Sequence, residues 1–391
     1  MQATYANRVV NLSESITIAI STLARELKAQ GKDILSFSAG EPDFDTPQVI
    51  KNAAIEAIHS GFTKYTAVAG IPELLSAISE KLKRDNHLEY STKEIIVSAG
   101  AKHSLFNVFQ ALIDKDDEVI IPCPYWVTYP ELVTFSNGKN VFIQTTQENN
   151  FKITKEQLKA AITSKTKMLV LTTPSNPTGM VYSKAELEGI AEVLKGTNIW
   201  VLSDEIYEKL VYDGAFVSAG SVSADMLERT ITINGVSKAV AMTGWRMGYL
   251  ATKDQKLCKL INGFQSQSFS NINSITQKAS ILGLNGSADK DIETMRLAFK
   301  ERRDFACEKL NAIKGLKVSK PDGAFYLFVN CSALAQDSME FCKNMLEKVG
   351  VAVIPGIGFG MDGYFRFSFA TDLASIKTGI QRIEQFCASI K

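Results

Sequence analysis

Two cations, Lys238 and Arg246, stand eight residues apart among small residues, just after a predicted buried strand, Arg229 to Ile233. A lysine amine can form an imine with an aldehyde, and an arginine can hold a phosphate. Most lysines are solvated surface charges, so Lys238 alone would indicate little. The pair in this setting suits pyridoxal phosphate (PLP), a cofactor that carries both an aldehyde and a phosphate.

The composition is that of an ordinary globular protein. The chain has 391 residues, of which 45% are hydrophobic and 22% charged, with a net charge of +1. This length suggests two or more structural units, and the near-neutral charge gives no indication of a nucleic-acid or membrane partner. Six cysteines without CxxC spacing and three isolated histidines predict neither a disulfide framework nor a metal site. Without an apolar signal core or a membrane-spanning run, we expect a cytoplasmic protein.

Short apolar runs alternate with helical patterns through the first three quarters of the chain, which is typical of an α/β fold with a mainly parallel sheet. Most of these runs are continuously apolar, as strands covered on both faces should be. The predicted strands are Glu94–Val97, Glu118–Ile121, Val141–Gln144, Met168–Thr172, Ile199–Ser203, Thr230–Ile233 and Met247–Ala251. The predicted helices include Ile18–Lys28, Pro47–Ser60 with Asp45 or Thr46 as its N-cap, Pro72–Asp85 and Lys102–Ile113.

The pattern changes near Asn285-Gly286-Ser287, which predicts a turn. A charged helix over Ala288–Ala312 follows, then strands at 317–318, 324–328 and 365–368 and a helix near 339–349. We therefore expect a large domain over residues 46–284 with a seven-stranded sheet. A smaller α+β domain would comprise residues 285–391 together with residues 1–45.

Polar chemistry follows the ends of the predicted strands, where parallel sheets bind ligands. Asp204 could hold a proton on the pyridine nitrogen of PLP, or it could simply cap a helix. Tyr207 and Asn176 could both bind the ring's 3-oxygen. Alternatively, Tyr207 packs in a helix and Asn176 only forms a turn with Pro177.

Four further positions suit other parts of the cofactor and substrate. Trp126 offers a face for ring stacking, unless it belongs to the core. Gly100 and Ala101 open a predicted helix whose N–H groups could bind the phosphate, although small residues open many helices. Arg366 lies inside an apolar strand, where it could clamp a substrate carboxylate or face solvent.

Three ordered strings resemble the fold-type I PLP enzymes, specifically the class I/II aminotransferase family. They are Ser175-Asn-Pro-Thr-Gly179, Ser203-Asp-Glu-Ile-Tyr207 and the run from Ser237-Lys238 to Trp245-Arg246-Met-Gly-Tyr249. Pro124-Tyr-Trp-Val-Thr-Tyr129 and Lys64-Tyr65-Thr66 are similar to the bacterial aspartate aminotransferase branch of that family. The resemblance extends from about Ser15 to the C-terminus.

The resemblance implies a role for each matching residue. Lys238 is similar to the family's Schiff-base lysine, which also moves the substrate proton, and Asp204 to its pyridinium partner. Cofactor-binding roles are implied for Gly100, Ala101, Trp126, Asn176, Tyr207, Ser237, Arg246 and Tyr65. Substrate-binding roles are implied for Gly40, Trp126, Asn176, Arg366, Ser15 and Lys102. A cis peptide bond at Asn176–Pro177 is also implied.

The same resemblance implies a homodimer with shared active sites, in which Tyr65 reaches the neighbouring subunit's cofactor phosphate. Ser15, from the neighbouring subunit, and Lys102 would bind a side-chain carboxylate, although they could instead be a helix cap and a surface charge. Gly235 departs from the animal-type pattern, which has a serine there against the phosphate. The phosphate would therefore have fewer donors unless Ser237 or backbone groups compensate.

From these residues we expect ping-pong amino transfer from L-aspartate to 2-oxoglutarate. The substrates would be small amino acids and 2-oxo acids. Aromatic or prephenate amino transfer, or a carbon–sulfur β-lyase reaction, are alternatives on the same scaffold. A PLP-binding regulator without turnover is the alternative from another class, and no basic stripe supports it.

Overall fold

The computed structural model describes residues 5–13 and 16–390. Its helices are α1 (Asn7–Val10), α2 (Ile16–Ala29), α3 (Gln48–His59), α4 (Pro72–Asn86), α5 (Ala101–Leu112), α6 (Thr128–Phe135), α7 (Lys155–Ala161), α8 (Lys184–Leu194), α9 (Ala224–Arg229), α10 (Gln255–Ser268), α11 (Ser274–Leu284), α12 (Asp289–Ala312), α13 (Ser338–Val349) and α14 (Leu373–Ser389). Across residues 5–13 and 16–390, none of them combines the length and apolar character needed to cross a membrane.

The strands are β1 (Leu35–Ser36), β2 (Ile95–Ser98), β3 (Glu118–Cys123), β4 (Lys139–Gln144), β5 (Thr166–Thr172), β6 (Trp200–Asp204), β7 (Thr230–Gly235), β8 (Gly248–Ala251), β9 (Lys317–Val318), β10 (Tyr326–Asn330), β11 (Val351–Ala352), β12 (Ile354–Pro355) and β13 (Tyr364–Ser368). All seven strands predicted in the first part of the chain are present, with ends that differ from the predicted ones by at most two residues.

A seven-stranded sheet with the order β2-β8-β7-β6-β5-β3-β4 forms the centre of the protein. Strand β8 pairs antiparallel with both β2 and β7, and the other pairs are parallel. The prediction of a mainly parallel sheet is therefore confirmed. Along β5, Met168 and Val170 join one apolar cluster while Leu169 and Leu171 join another. Because alternate side chains point to opposite faces, both faces of the sheet are covered.

A second, four-stranded antiparallel sheet has the order β12-β13-β10-β9. The N-terminal segment packs with this part of the chain, since β1 pairs parallel with β11 and Phe37 stacks on Phe367 at 4.3 Å. The N-terminal segment therefore contacts the C-terminal part of the chain. The division into two domains, at residues 45/46 and 284/285, stays a prediction.

Local sequence chemistry explains several helix ends. Pro72 occupies the first turn of α4, where its missing N–H costs nothing. The predicted cap of α3 is wrong, because Pro47 precedes the helix and no side chain caps it. Thr46 instead donates its hydroxyl to the carbonyl of Ala241 at 2.8 Å. This long-range bond joins the start of α3 to the loop that carries Lys238.

Candidate active site

A cavity of about 480 Å³ opens where the carboxyl ends of the parallel strands meet. Its lining brings together most of the residues that the sequence predicted for the cofactor and substrate. These are Gly40, Ala101, Lys102, Trp126, Asn176, Asp204, Tyr207, Ser237, Lys238, Arg246 and Arg366. The elements that carry them are separated by up to several hundred residues in sequence, so only the fold makes them neighbours.

Asp204 is the last residue of β6 and its carboxylate is buried in the cavity floor. The Tyr129 hydroxyl donates to Oδ2 at 2.7 Å, and the backbone N–H of Ile206 donates to Oδ1 at 3.3 Å. Burial raises the pKa of Asp204 to about 6, although these donors and Lys238 favour the charged form. At neutral pH the group is therefore mostly a carboxylate, held rigidly at the strand end.

Lys238 follows β7 and reaches into the same cavity. Its Nζ donates to the carbonyl of Gly40 and lies 6.0 Å from the ring centre of Tyr207. Desolvation lowers the pKa of Lys238 to about 8, with smaller and opposed effects from surrounding charges. An amine with this pKa has a useful neutral fraction near pH 7, as a nucleophile or base requires.

Arg366, on β13, is buried rather than solvent-facing. Its guanidinium donates to Asn176 Oδ1 at 2.9 Å and to the Ser38 carbonyl at 2.8 Å, and it lies over the Tyr326 ring at 4.3 Å. Its Nε has no partner, and none of the carboxylates in the described part of the chain lies within ion-pair distance. A buried cation without an anion needs one to offset its desolvation, which favours an anionic ligand.

Arg246 lines one end of the cavity and lies against Gly100, the residue that precedes α5. Gly100 has φ of +85°, and a Cβ there would lie 2.5 Å from Arg246 Nη2. The glycine therefore lets the arginine approach the start of the helix closely. Together with the helix N-terminus, this cation makes a site suited to a phosphate.

Trp126 forms part of the wall, and the Lys102 ammonium lies 4.9 Å from its ring centre. Desolvation and then the charge of Arg246 lower the pKa of Lys102. Lys102 is thus a cavity residue and not a fully solvated surface charge, which leaves it available to an anion.

Tyr207 and Asn176 both lie in the cavity lining. The Tyr207 hydroxyl hydrogen-bonds that of Tyr326 at 2.9 Å, and burial raises its pKa well above the usual value. The phenol therefore stays protonated and can donate. The Asn176–Pro177 bond is cis, as expected from the family resemblance, and so are Cys123–Pro124 and Thr173–Pro174.

Tyr65 is 91% exposed and lies outside this cavity, so its expected role in a neighbouring subunit stays a prediction. Ser15 falls outside the described residues. Gly235 is tightly packed, because a Cβ there would lie 2.8 Å from the Met247 carbonyl. A serine would not fit that position without a shift, whereas Ser237 does line the cavity.

Sequence reasoning gave no role to Tyr129, Tyr326, Ser38 or the α2 side chains. Tyr129 lies on α6, three residues after Trp126, within a string that carried the family resemblance. That spacing could have indicated a shared site. Tyr326 and Ser38 reach the cavity only through the packing of the second sheet and β1, which no local pattern reveals.

Comparison with known proteins agrees with this geometry. The sequence profile described as "Aminotransferase class I and II" matches residues 32–383. The chain belongs to the aminotransferase class I and II family. Enzymes of this family are PLP-dependent, and the expected family and α/β fold are confirmed.

Two curated relatives resemble the chain along nearly its whole length. An aspartate aminotransferase from Bacillus sp. (strain YM-2) is 49% identical over 392 residues, covering 99% of this chain and 100% of the relative. A "probable aspartate/prephenate aminotransferase" from Rickettsia felis is 46% identical, covering 98% of this chain and 97% of the relative.

Two solved structures have the same fold. The aspartate aminotransferase from Rhizobium meliloti superposes with a TM-score of 0.96 at 42% identity, covering 100% of both chains. The Thermus thermophilus aspartate aminotransferase with maleate gives a TM-score of 0.95 at 41% identity, covering 98% of this chain and 100% of the other.

Proposed function

We propose that the protein is an aspartate aminotransferase that moves the amino group of L-aspartate to 2-oxoglutarate. The observation that supports this most directly is one cavity that holds Lys238, Asp204, Asn176 and Arg366. The names of the Bacillus, Rhizobium and Thermus relatives support aspartate as the amino donor.

The residues present fit PLP. The close approach of Arg246 to Gly100 gives the phosphate a cation beside a helix N-terminus. Ser237 would add a hydroxyl at the same end, Trp126 a flat face for the ring, and Tyr207 with Asn176 donors for the 3-oxygen. When bound, PLP supplies an aldehyde for the amine and a protonated ring that withdraws electrons from the substrate α-carbon.

Lys238 Nζ would act as general base and acid. It would take the proton from the substrate α-carbon, hold it, and deliver it to the cofactor as the amino group is transferred. In the second half of the reaction, Lys238 would move a proton in the opposite direction, to the α-carbon of the 2-oxo acid. A positioned group of this kind typically contributes about 10²–10⁴-fold to the rate. Its lowered pKa, about 8, is caused mainly by desolvation and keeps the neutral amine accessible near neutral pH.

Asp204 would hold the proton on the pyridine nitrogen. Its carboxylate is fixed by Tyr129 and by the backbone of Ile206, so it does not have to reorient during the reaction. Because this carboxylate is buried and shielded from water, it strongly favours a positive charge beside it.

Arg366 would bind the substrate α-carboxylate with its planar fork and so orient the α-hydrogen toward Lys238. Its partners, Asn176 Oδ1 and the Ser38 carbonyl, are neutral acceptors that fix the guanidinium without satisfying its charge. Lys102 is the proposed contact for the side-chain carboxylate, and Ser15 a second one. Gly40 would contact substrate through its backbone.

A donor panel tests the assignment. The PLP-loaded enzyme is mixed with aspartate, phenylalanine, prephenate-derived donors or cystathionine, and the absorbance of the lysine-bound cofactor is followed without any 2-oxo acid. Aspartate should consume that absorbance fastest, and 2-oxoglutarate should restore it. Faster reaction with phenylalanine or the prephenate-derived donors would contradict the proposal and indicate an aromatic or prephenate aminotransferase. Pyruvate release from cystathionine would instead indicate a carbon–sulfur β-lyase. Prephenate is the second candidate because several relatives are named as aspartate/prephenate enzymes.

We also propose a cytoplasmic homodimer with shared sites. Large apolar side chains stand exposed on α3 (Ile55 and Ile58) and on α10 (Leu260 and Phe264), which suits burial against a second copy. The six cysteines are all free, in keeping with a reducing compartment.

Subunit mixing tests the shared site. A Lys238→Ala chain and a Tyr65→Ala chain are each expected to be impaired. In a mixed dimer, one site would receive both native residues, so mixing should restore activity above that of either variant. No restoration, together with a monomer mass by light scattering, would contradict the proposed dimer.

A further inference from the structure

The cations of the cavity occupy distinct places, and one of them has no role in the proposed function. Arg246 lies at the phosphate end, Lys102 lies over Trp126, and Arg366 is buried in the floor. Arg25, on α2, lines the cavity from its exposed rim. Asp204 is the only carboxylate among the described lining residues, so the cavity carries an excess of positive charge.

The direction of Arg25 follows from its place on the helix. Thr17, Ser21 and Arg25 are four residues apart, and all three line the cavity. Residues at this spacing lie on the same face of an α-helix. The α2 helix therefore presents a polar face ending in a cation to the mouth of the cavity.

The protein uses little of the hydrogen-bonding capacity of Arg25. Its guanidinium donates to Thr22 Oγ1 at 3.3 Å, and within residues 5–13 and 16–390 it forms no ion pair with a carboxylate. A guanidinium has five N–H donors in a fork that matches a carboxylate. Most of that fork is available to an incoming anion.

Arg25 is also linked to the residues that hold the buried clamp. Ser21, one turn before it, hydrogen-bonds the Ser38 hydroxyl at 3.0 Å, and the Ser38 carbonyl accepts from Arg366. Arg25, at the exposed rim, is thus connected through Ser21 and Ser38 to Arg366, which is buried deeper in the cavity. A substrate with two carboxylates can engage both cations, whereas a substrate with one carboxylate satisfies Arg366 alone.

We propose that Arg25 is a specificity-determining residue that binds the second carboxylate of dicarboxylic substrates at the cavity mouth. This inference rests on the proposed function, because it assumes that Arg366 takes the first carboxylate. It adds a contact from α2 to the one proposed for Lys102.

Ligand binding to the PLP-loaded enzyme tests the proposal without relying on turnover. Calorimetry is carried out with the dicarboxylates maleate and succinate and the monocarboxylate propionate, at low and at high ionic strength. Arg25→Gln should weaken dicarboxylate binding about three- to fivefold, as for an exposed ion pair, and propionate binding less than about 1.5-fold. The dicarboxylate effect should shrink as salt is added, and Arg25→Lys, which keeps the charge but not the fork, should weaken dicarboxylate binding less than Arg25→Gln does.

Lys28→Gln is the matched control. Lys28 is an exposed cation one turn further along α2, but it lines a neighbouring cavity and not this one. It should change neither class of ligand by more than about 1.5-fold. Equal effects of Arg25→Gln and Lys28→Gln, or equal weakening of all three ligands by Arg25→Gln, would overturn the proposal. A failure of aspartate in the donor panel would leave these affinities measurable, so the two outcomes are separable.

Discussion

The Asp204 carboxylate is costly to keep charged, and the Asp204→Asn variant measures that cost. Burial is the largest influence on this group, and it raises the pKa from 3.8 to about 6. In the protein without cofactor, the folded state therefore binds this proton more tightly than the unfolded state does. The stability that the group contributes is fully present below pH 3.8 and is lost as the pH rises through about 6.

The asparagine variant has no such group to ionise, so it does not lose this stability. Linkage between these two pKa values predicts that the variant gains about 1.3 kcal/mol relative to the wild type between pH 5 and pH 7. Lys238, with a pKa of about 8, stays mostly protonated over this range and so does not complicate the comparison.

The assay is urea denaturation of the two apoproteins at pH 5, 6 and 7 and at one protein concentration. Asp45→Asn is the control, because the Asp45 side chain is 97% exposed and should give a much smaller pH-dependent difference. A difference between wild type and Asp204→Asn that stays constant, or shrinks as the pH rises, would refute the reasoning. Saturating PLP should stabilise the wild type more than the variant, since only the wild type offers the ring a charge partner.

Three more substitutions test other parts of the cavity. Lys238→Ala should lose the absorbance of lysine-bound cofactor and nearly all turnover, and retained full activity would show that another group moves the proton. Arg366→Gln should raise KM for aspartate by about 10- to 100-fold, the value of a charge-assisted hydrogen-bonded pair, with PLP affinity unchanged in a cofactor titration; an unaltered KM would exclude the clamp. Gly100→Ala should weaken PLP binding severalfold in the same titration, because its Cβ would lie 2.5 Å from Arg246 Nη2 at a φ of +85°; equal affinity would mean that the loop shifts freely.

The strand ends are the part of the site that sequence predicts best. A buried strand is a largely apolar run, so its end is visible where polar residues begin, as Ser203 and Asp204 do after Trp200–Leu202. In a parallel sheet these ends must converge, so the sequence alone allows the separate motifs around Asn176, Asp204 and Lys238 to be assigned to one site.

Residues delivered by tertiary packing could not be predicted in this way. Tyr129 and Asp204 are 75 residues apart, and their hydrogen bond depends on how α6 packs on the sheet. In the sequence, Arg25 has the features of an ordinary exposed helix residue. Only the packing of α2 along the cavity rim gives it a place in the site. The wrong prediction of Thr46 as a helix cap has the same origin. A threonine before a helix often caps it, but here the Thr46 hydroxyl donates to the carbonyl of Ala241, which is far away in sequence.

Asp204 and Glu205 show why an unusual pKa alone does not identify a functional group. Burial raises the pKa of Asp204 to about 6 and the pKa of Glu205 to about 7. Glu205 accepts hydrogen bonds from Ser203 at 2.9 Å and Ser218 at 2.6 Å, so the protein itself satisfies it. Asp204 lines the cavity and Glu205 does not. Both carboxyl groups therefore have a raised pKa, and what distinguishes the site residue is that Asp204 faces the cavity, where a ligand can contact it.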